Sequence, residues 1–465
     1  MFFWSFMERF GSQTFSFVIT IFLARLLTPE EFGIVALVLV ITSLLEVFLT
    51  NSLSVSLIQR KKVTEVTYST VFYANICLAT LLYSVIFITA PFIENYFNEE
   101  NLGIYLLILA SKLFIYSVST IQKSIAIRNL NFKVISYTKI ISVLLSGSLG
   151  ISLAINGFKE QAIIYQIISQ NILELILLSL SVRWHPRLHF SYVELKAMIG
   201  FSGTMLLSSL SSSIYSNISK IIVAKVYSAH DLAIFNQGKL FPQFLVSNTV
   251  QAVANVLFPI MSRDQDSNEA LINNLNNAII KTYFFVLPMI FGLIVIAEEL
   301  VVIILTEKWI GASPILIISS LGFLVLPLNT FHSQVIKAKG QSKVYLKADV
   351  YKKIVGIVIL FGLYDYGLEW VAIAESISAI IGVLITFRFA SVILGYNPLL
   401  VLKEVGLSLI CSIIMMLFTV TIKTSLTFGI EIKVISTVFS GIIVYCFVSY
   451  VLNKRTILLF LNKEF

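Results

Sequence analysis

Arg25, Glu46, Lys112, Glu174, Lys220, Lys225 and Lys239 all stand inside, or at the ends of, long apolar runs. A charge at bilayer depth costs about 2.5–3.5 kcal/mol on insertion scales, so such side chains face a bundle interior, a partner or water. Cations so placed can hold a phosphate; carboxylates can hold a proton, a cation or a lysine. Lys112 is far from both ends of its run, which leaves its side chain no easy route to the membrane surface. Two readings stay open for Lys112, Glu46 and Glu174: ion pairs that fix helix packing, or a pathway for substrate and ions.

Arg25 belongs to a segment written twice. "FLARLLTPEEFG" (22–33) is echoed by "IVAKVYSAHDLAI" (222–234), which sets Ala24 on Ala224, Arg25 on Lys225, Thr28 on Ser228 and Glu31 on Asp231. Thr28-Pro29-Glu30-Glu31 predicts a capping box with proline at the first helical position. Ser228-Ala229-His230-Asp231 is its looser copy. Capping accounts for the Thr/Ser and Glu/Asp echo, but it does not require the cation. Arg25 and Lys225 read either as caps of a helix C-terminus reaching for headgroups or as ligands of an anion. Glu8 and Arg9 read as an interfacial pair, and Lys139 as a snorkelling side chain.

The elements that must position these residues follow from composition. Of 465 residues, 57% are hydrophobic and 12% charged, with a mean hydropathy of +0.91. Soluble domains carry roughly 25% charged residues. Apolar segments fall at 4–27, 33–57, 67–92, 102–121, 135–155, 162–182, 198–222, 232–259, 278–297, 313–334, 353–368, 371–389, 404–422 and 434–452. Each is near the ~20 residues that a bilayer core needs, which predicts an all-α polytopic membrane protein of about fourteen transmembrane helices. The first segment is too long for a signal-peptide core and reads as the first membrane helix.

Basic residues gather in every second loop: Arg60, Lys61 and Lys62; Lys123, Arg128 and Lys133; Arg183, Arg187 and Lys196; Arg263 and Lys281; Lys337 to Lys353; Arg388 and Lys403; Lys454, Arg455 and Lys463. Alternate loops include the acidic "ENYFNEEN" (94–101). The bias places both termini in the cytoplasm. It also explains the net charge of +8 without a nucleic-acid partner. Cys77, Cys411 and Cys446 are scattered, and the four histidines form no cluster, so no metal site is expected.

The internal echo predicts two parallel six-helix repeats, an arrangement in which transporters place the substrate path between halves. The division is 1–183 for the first bundle, 184–196 for a cytoplasmic linker, 197–389 for the second bundle, and 390–465 for two additional helices and a short tail. Pro242, Pro288 and Pro327 interrupt helices of the second bundle, either as static kinks or as points of bending.

Several stretches together carry a resemblance: "WSFMERFGSQ" (4–13), "LARLLTPEEFG" (23–33), "SLIQRKK" (56–62), "IQKSIAIRNLNFK" (121–133), "AKVYSAHDLAIFNQ" (224–237), "LFPIMSR" (257–263) and "TEKWIGA" (306–312). In order and spacing the chain resembles the Wzx-type polysaccharide-biosynthesis flippases of the MOP exporter superfamily, in the branch of the colanic acid and teichuronic acid exporters. The likeness runs from residue 4 to about 400 and is more diffuse beyond. It implies a MATE-like fold of two pseudo-symmetric bundles around a central cationic cavity, in the inner membrane. It also implies a substrate, an undecaprenyl-diphosphate-linked oligosaccharide moved from the cytoplasmic to the periplasmic leaflet by alternating access. In related lipid II flippases an arginine at the end of the first helix is associated with the diphosphate, and Arg25 matches it, with Lys225 as counterpart. Three features depart from the pattern: the chain has no basic tail before Trp4-Ser5, it reads Asn236-Gln237-Gly238 where Asn-Arg-Ala is expected, and Lys112 replaces an apolar or small residue.

On this reading Arg25, Lys225, Lys220, Lys239 and Lys112 contact diphosphate and sugar, with Arg25 favoured for its fork geometry. Tyr215 and Tyr227 are suited to stacking on sugars or to an interfacial belt. Glu46 and Glu174 are the candidate ion-coupling groups. No cofactor is expected beyond a proton or sodium gradient, because no nucleotide-binding motif is present. Polysaccharide polymerase or chain-length machinery are the candidate partners. A cation-coupled multidrug exporter of the same fold is the alternative. A membrane enzyme is disfavoured, since neither a sizeable outer loop nor a histidine-bearing motif exists.

Overall fold

The doubled turn forms as two capped helix starts. The Glu31 side chain accepts from the Thr28 N–H at 2.9 Å while Thr28 Oγ1 accepts from the Glu31 N–H at 3.4 Å, with Pro29 opening the helix. In the second copy Ser228 Oγ donates to Asp231 at 2.6 Å and accepts from the Asp231 N–H at 3.0 Å. The computed structural model in which these contacts occur describes residues 7–51, 53–426, 429–454 and 456–457. The side chains of Glu8 and Arg9 lie outside the described residues, and so does the pair expected there.

All regular structure among the described residues is helical. Among the described residues, twelve helices are long and apolar enough to cross a membrane. The first expected span appears as the 15-residue helix Ser12–Leu26, and the eleventh as Ser342–Leu363, whose lysine-rich first half dilutes its hydropathy. The molecule is thus an all-α, multi-pass membrane protein.

Packing divides the chain into two units, 1–233 and 234–465. The first contains α1 (Ser12–Leu26), α2 (Pro29–Thr50), α3 (Leu53–Gln59), α4 (Glu65–Phe97), α5 (Leu102–Ala110), α6 (Lys112–Arg128), α7 (Phe132–Ile155), α8 (Lys159–Val182) and α9 (Tyr192–Val226). Here α1 packs on α7, α7 on α8, and α2 on α6, α8 and α9. Helix α9 belongs to this unit because the segment before it is pinned there. The buried Trp184 gives its indole N–H to Glu65 at 3.2 Å, the N–H groups of Arg187 and Ser191 reach Ser69 and Thr70, and Glu194 pairs with Arg60. The packing boundary therefore falls after the seventh span, whereas the division at 184–196 follows the sequence repeat.

Helix α10 (Ala229–Pro242) crosses the boundary. The second unit continues with α11 (Asn248–Arg263), α12 (Asn268–Val295), α13 (Ala297–Leu305), α14 (Ala312–Leu324), α15 (Leu326–Ala338), α16 (Ser342–Leu363), α17 (Leu368–Leu394), α18 (Leu399–Ser425) and α19 (Ile430–Leu452). Its core is one apolar cluster running from Val246 and Val250 through Leu275, Val286 and Phe331 to Val383 and Val405.

The prolines act differently from one another. Pro242 precedes a π-helical turn, Gln243–Ser247, between α10 and α11; such a turn is a common response to a lost backbone donor. Pro327 sits in the first turn of α15, just after the break at Val325, while Pro288 lies inside an unbroken α12. Span 102–128 is irregular for one residue at Ser111, whose backbone stays in the α region, with no proline at all.

Candidate functional site

In the first unit Lys112 is 3% exposed and its ammonium pairs with Glu46 on α2, which is 22% exposed. One turn along α6, the Tyr116 side chain lies beside the same carboxylate. Nearer the basic loops, Glu174 on α8 is also buried, and it receives Lys123 at 2.7 Å and Lys139 at 3.1 Å. Charge thus ties α2 to α6, and α8 to both α6 and α7. Lys139, expected to snorkel, is turned inward to Glu174 instead.

Lys112 lies in mid-span just past Ser111, where the backbone stays α-helical, so the cost of its charge is that of burial, and the Glu46 carboxylate offsets it.

At the opposite end of this unit the two copies of the doubled segment meet. A Cβ built on Gly33 would lie 1.8 Å from the carbonyl oxygen of Ala229, so only glycine lets the α1–α2 turn rest on the α9–α10 turn. His230 Nε2 is 3.9 Å from Glu30. Glu99, in the neighbouring α4–α5 turn, takes a hydrogen bond from the Ala229 backbone. Burial pushes its carboxyl above the usual range and that hydrogen bond pulls it back.

Arg25 is exposed in the last turn of α1. Lys225 is exposed in the last turn of α9, where its ammonium donates to the Tyr96 carbonyl and lies 4.0 Å from that ring's centroid. Tyr96 is in the last turn of α4, so Lys225 caps a neighbouring helix rather than its own. Lys220 is half-buried on α9.

Helix α9 carries a feature that counting charges overlooks. Ser208, Ser211, Ser212 and Ser216 are exposed along its middle, and Ser209, Ser213 and Tyr215 are half-buried. This is the least apolar of the twelve spans and the least buried within the molecule. Lipid would reward an apolar surface here, and water rewards hydroxyls. The run "SSLSSSIYSN" (208–217) was the available signal.

In the second unit Lys239 pairs with Glu375 on α17 and lies 4.7 Å from the centroid of the Phe235 ring. The pair lines a cavity of about 190 Å³ together with Ser319, Asn329 and Ser376. Glu375 was legible as a mid-span carboxylate in "AIAESISA" but did not enter the predicted set. The glycine in place of alanine at 238 also finds its reason: a Cβ there would sit 2.7 Å from the Ala312 carbonyl oxygen and 2.6 Å from Ile315. His332 is fully buried and satisfied, Nδ1 donating to Leu328 O at 2.7 Å and Nε2 accepting from Tyr396. Among the described residues no cluster of His, Cys, Asp or Glu could hold a metal ion.

A second cavity in this unit is almost wholly apolar. It measures about 410 Å³ and is lined by α12, α18 and α19, with Phe285, Met289, Leu293, Met415, Val438 and Ile442 among its walls. The Tyr445 hydroxyl faces away to the Phe284 carbonyl, which leaves little polarity in the lining.

Residues 22–314 match the family described as polysaccharide biosynthesis protein. The teichuronic acid biosynthesis protein TuaB of Bacillus subtilis (strain 168) is 26% identical over 324 residues, covering 68% of this chain. The match spans 65% of that relative's own length. Among solved structures, the lipid II flippase MurJ in an inward closed conformation superposes with a TM-score of 0.82 at 19% identity, over 98% of this chain and 100% of the other. An inward-facing MATE family multidrug resistance transporter of the MOP superfamily gives 0.66 at 14% identity, over 82% and 94%. At such identities the likeness is one of fold, and the fold is MOP-like.

Proposed function

The chain belongs to the polysaccharide biosynthesis protein family, and we propose that it flips an undecaprenyl-diphosphate-linked oligosaccharide from the cytoplasmic to the periplasmic leaflet of the inner membrane by alternating access. Both termini are then cytoplasmic. The observation that carries the reading is the exposed serine face of α9, with Lys220 on the same helix. A hydrophilic face in the middle of a membrane span suits a polar headgroup in transit.

Arg25 is the residue assigned to the diphosphate. It is exposed, it heads the doubled segment, and its guanidinium can grip two phosphate oxygens at once. Lys220 is the second contact. Lys112, Lys225 and Lys239 are engaged by Glu46, the Tyr96 carbonyl and Glu375, so in this conformation they serve packing and act on substrate only when released. The apolar cavity between α12, α18 and α19 offers the polyprenyl chain a path beside the bundle.

Of the two carboxylates assigned to ion coupling, Glu46 is the less buried, at 22% exposed, while Glu174 is enclosed by Lys123 and Lys139. Protonation of Glu46 would release Lys112. A drug exporter of the same fold would need an acid available to a cationic drug, but Glu46, Glu174 and Glu375 each face a lysine. The chain is accordingly read as a transporter of anionic lipid-linked sugar and not as an enzyme.

The test is deletion of the gene in its own host. Surface polysaccharide is expected to fall while the lipid-linked repeat accumulates on the cytoplasmic side. Normal polysaccharide export with no accumulation would reject the proposal.

A further inference from the structure

Helix α16 begins in the most lysine-dense part of the chain. Lys337, Lys339, Lys343, Lys347, Lys352 and Lys353 stand against a single acid, Asp349. Some of this charge is spent within the protein. Lys353 pairs with Asp349 at 2.7 Å, Lys352 donates to Asn329 at 3.2 Å, and Lys337 lies 4.2 Å from the centroid of the Tyr345 ring. Lys343 and Lys347 are exposed and form no ion pair among the described residues, although the Lys347 ammonium lies 5.8 Å from the centroid of the Tyr351 ring.

Their azimuth is informative. At 100° per residue, Lys343 and Lys347 share one face of α16 with Val350, Ile354, Val358 and Phe361, which are 51%, 53%, 65% and 55% exposed. An exposed apolar face of this kind on a long apolar helix suits contact with lipid. The apolar stripe from Val350 to Phe361 is about 16 Å long at 1.5 Å per residue. The lysines continue it where the hydrocarbon ends.

Helix α17 packs antiparallel on α16 and repeats the pattern. Its exposed stripe of Ile377, Ile380 and Leu384 continues to the exposed Arg388, which likewise forms no ion pair among the described residues. Next to it, Phe389 stacks on Tyr351 of α16, ring centroids 6.2 Å apart and 18° from parallel. Two neighbouring helices thus end their exposed apolar stripes in cations, with an aromatic pair between them.

The topological charge bias explains basic loops. It does not require cations within the helices and on their exposed apolar faces.

We propose that Lys343, Lys347 and Arg388 form a binding site for the phosphate headgroup of an anionic phospholipid, whose acyl chains lie along α16 and α17. Lysine stems lie over the apolar stripe while their ammonium groups reach the headgroup layer, and basic sites between membrane helices hold acidic lipids in this manner. The site goes beyond the flippase reading and does not depend on it, since binding is measured without transport.

The experiment is native mass spectrometry of the purified full chain in detergent, with phosphatidylglycerol, cardiolipin or phosphatidylcholine added. Lipid adducts with the two anionic lipids are expected to exceed those with phosphatidylcholine at least fivefold. K343Q/K347Q/R388Q is expected to remove that excess, while K61Q/K62Q/R187Q, which takes three charges from exposed positions of the first unit, preserves it. All three residues are exposed, so the variant is expected to keep the wild-type melting temperature. Equal adducts with phosphatidylcholine, or equal losses in the two triple variants, would overturn the site. Displacement by millimolar inorganic phosphate would assign it to free anions, and preferential displacement by polyprenyl diphosphate would assign it to the substrate; either result overturns a phospholipid site.

Discussion

Lys112 and Glu46 neutralise each other midway along the span from Leu102 to Arg128, beside its one-residue irregularity at Ser111. Lys112 is 3% exposed in mid-span, so burial alone demands a partner for its charge before any question of transport arises.

Lys112→Met strands the Glu46 carboxylate. Breaking one side of a buried pair costs about 3–5 kcal/mol, whereas replacing both partners by apolar residues is often close to neutral. Thermal unfolding of the purified protein should therefore rank wild type and Lys112→Met/Glu46→Leu close together, with Lys112→Met well below. A double variant as unstable as the single one would show that Lys112 has another essential partner.

Gly33 against the Ala229 carbonyl is a contact between backbones, and no side-chain rotation can relieve it. Gly33→Ala should separate the α1–α2 and α9–α10 turns at a cost of about 1–3 kcal/mol, the usual range for overpacking. Gly200→Ala is the control, since a Cβ there meets nothing within 4 Å. It should be neutral or stabilising by up to ~1 kcal/mol, the helix-propensity difference between the two residues. Melting temperatures and membrane yields of the two variants decide the matter.

The sequence carried the spans and the capped turns because both are local. Thr28 and Glu31 are three residues apart, and the apolar runs advertise themselves by composition. It carried the depth of Lys112, Glu46 and Glu174, but not their azimuth. Which charge meets which is set by helix rotation and crossing, so the pairs 46–112 and 139–174 emerge only in three dimensions. Lys225 illustrates a harder limit, because its acceptor is the backbone carbonyl of Tyr96 and a carbonyl leaves no mark in a sequence. The irregularity at Ser111 has no proline to announce it. The serine face of α9 was legible in composition; its meaning depended on the exposure of those hydroxyls within a membrane span.

The doubled cations should separate in function. Arg25→Ala should abolish flipping in reconstituted vesicles while the protein still inserts and folds, and Arg25→Lys should retain a fraction, having charge without the fork. Lys225→Ala should lower thermal stability by about 0.3–1 kcal/mol, as for loss of a cation at a helix C-terminus. Its flipping rate should stay within a fewfold of wild type. Equal losses of transport in Arg25→Ala and Lys225→Ala, at equal protein levels, would return both residues to one shared role.

The apolar cavity between α12, α18 and α19 offers the sharpest separation of headgroup from tail. Gly292 lines it, and a Cβ at that position meets no atom within 4 Å. Gly292→Phe therefore adds a ring to open space instead of overpacking the core, and the melting temperature should hold. If the polyprenyl chain occupies this path, flipping of a long-chain substrate should fall at least tenfold. An analogue with the same diphosphate and sugars on a short prenyl chain should be much less affected. The discrimination between the two substrates is the readout, since a variant that merely jams the bundle slows both alike. Unchanged transport of the long-chain substrate would leave the tail in bulk lipid and the cavity without a part in the cycle.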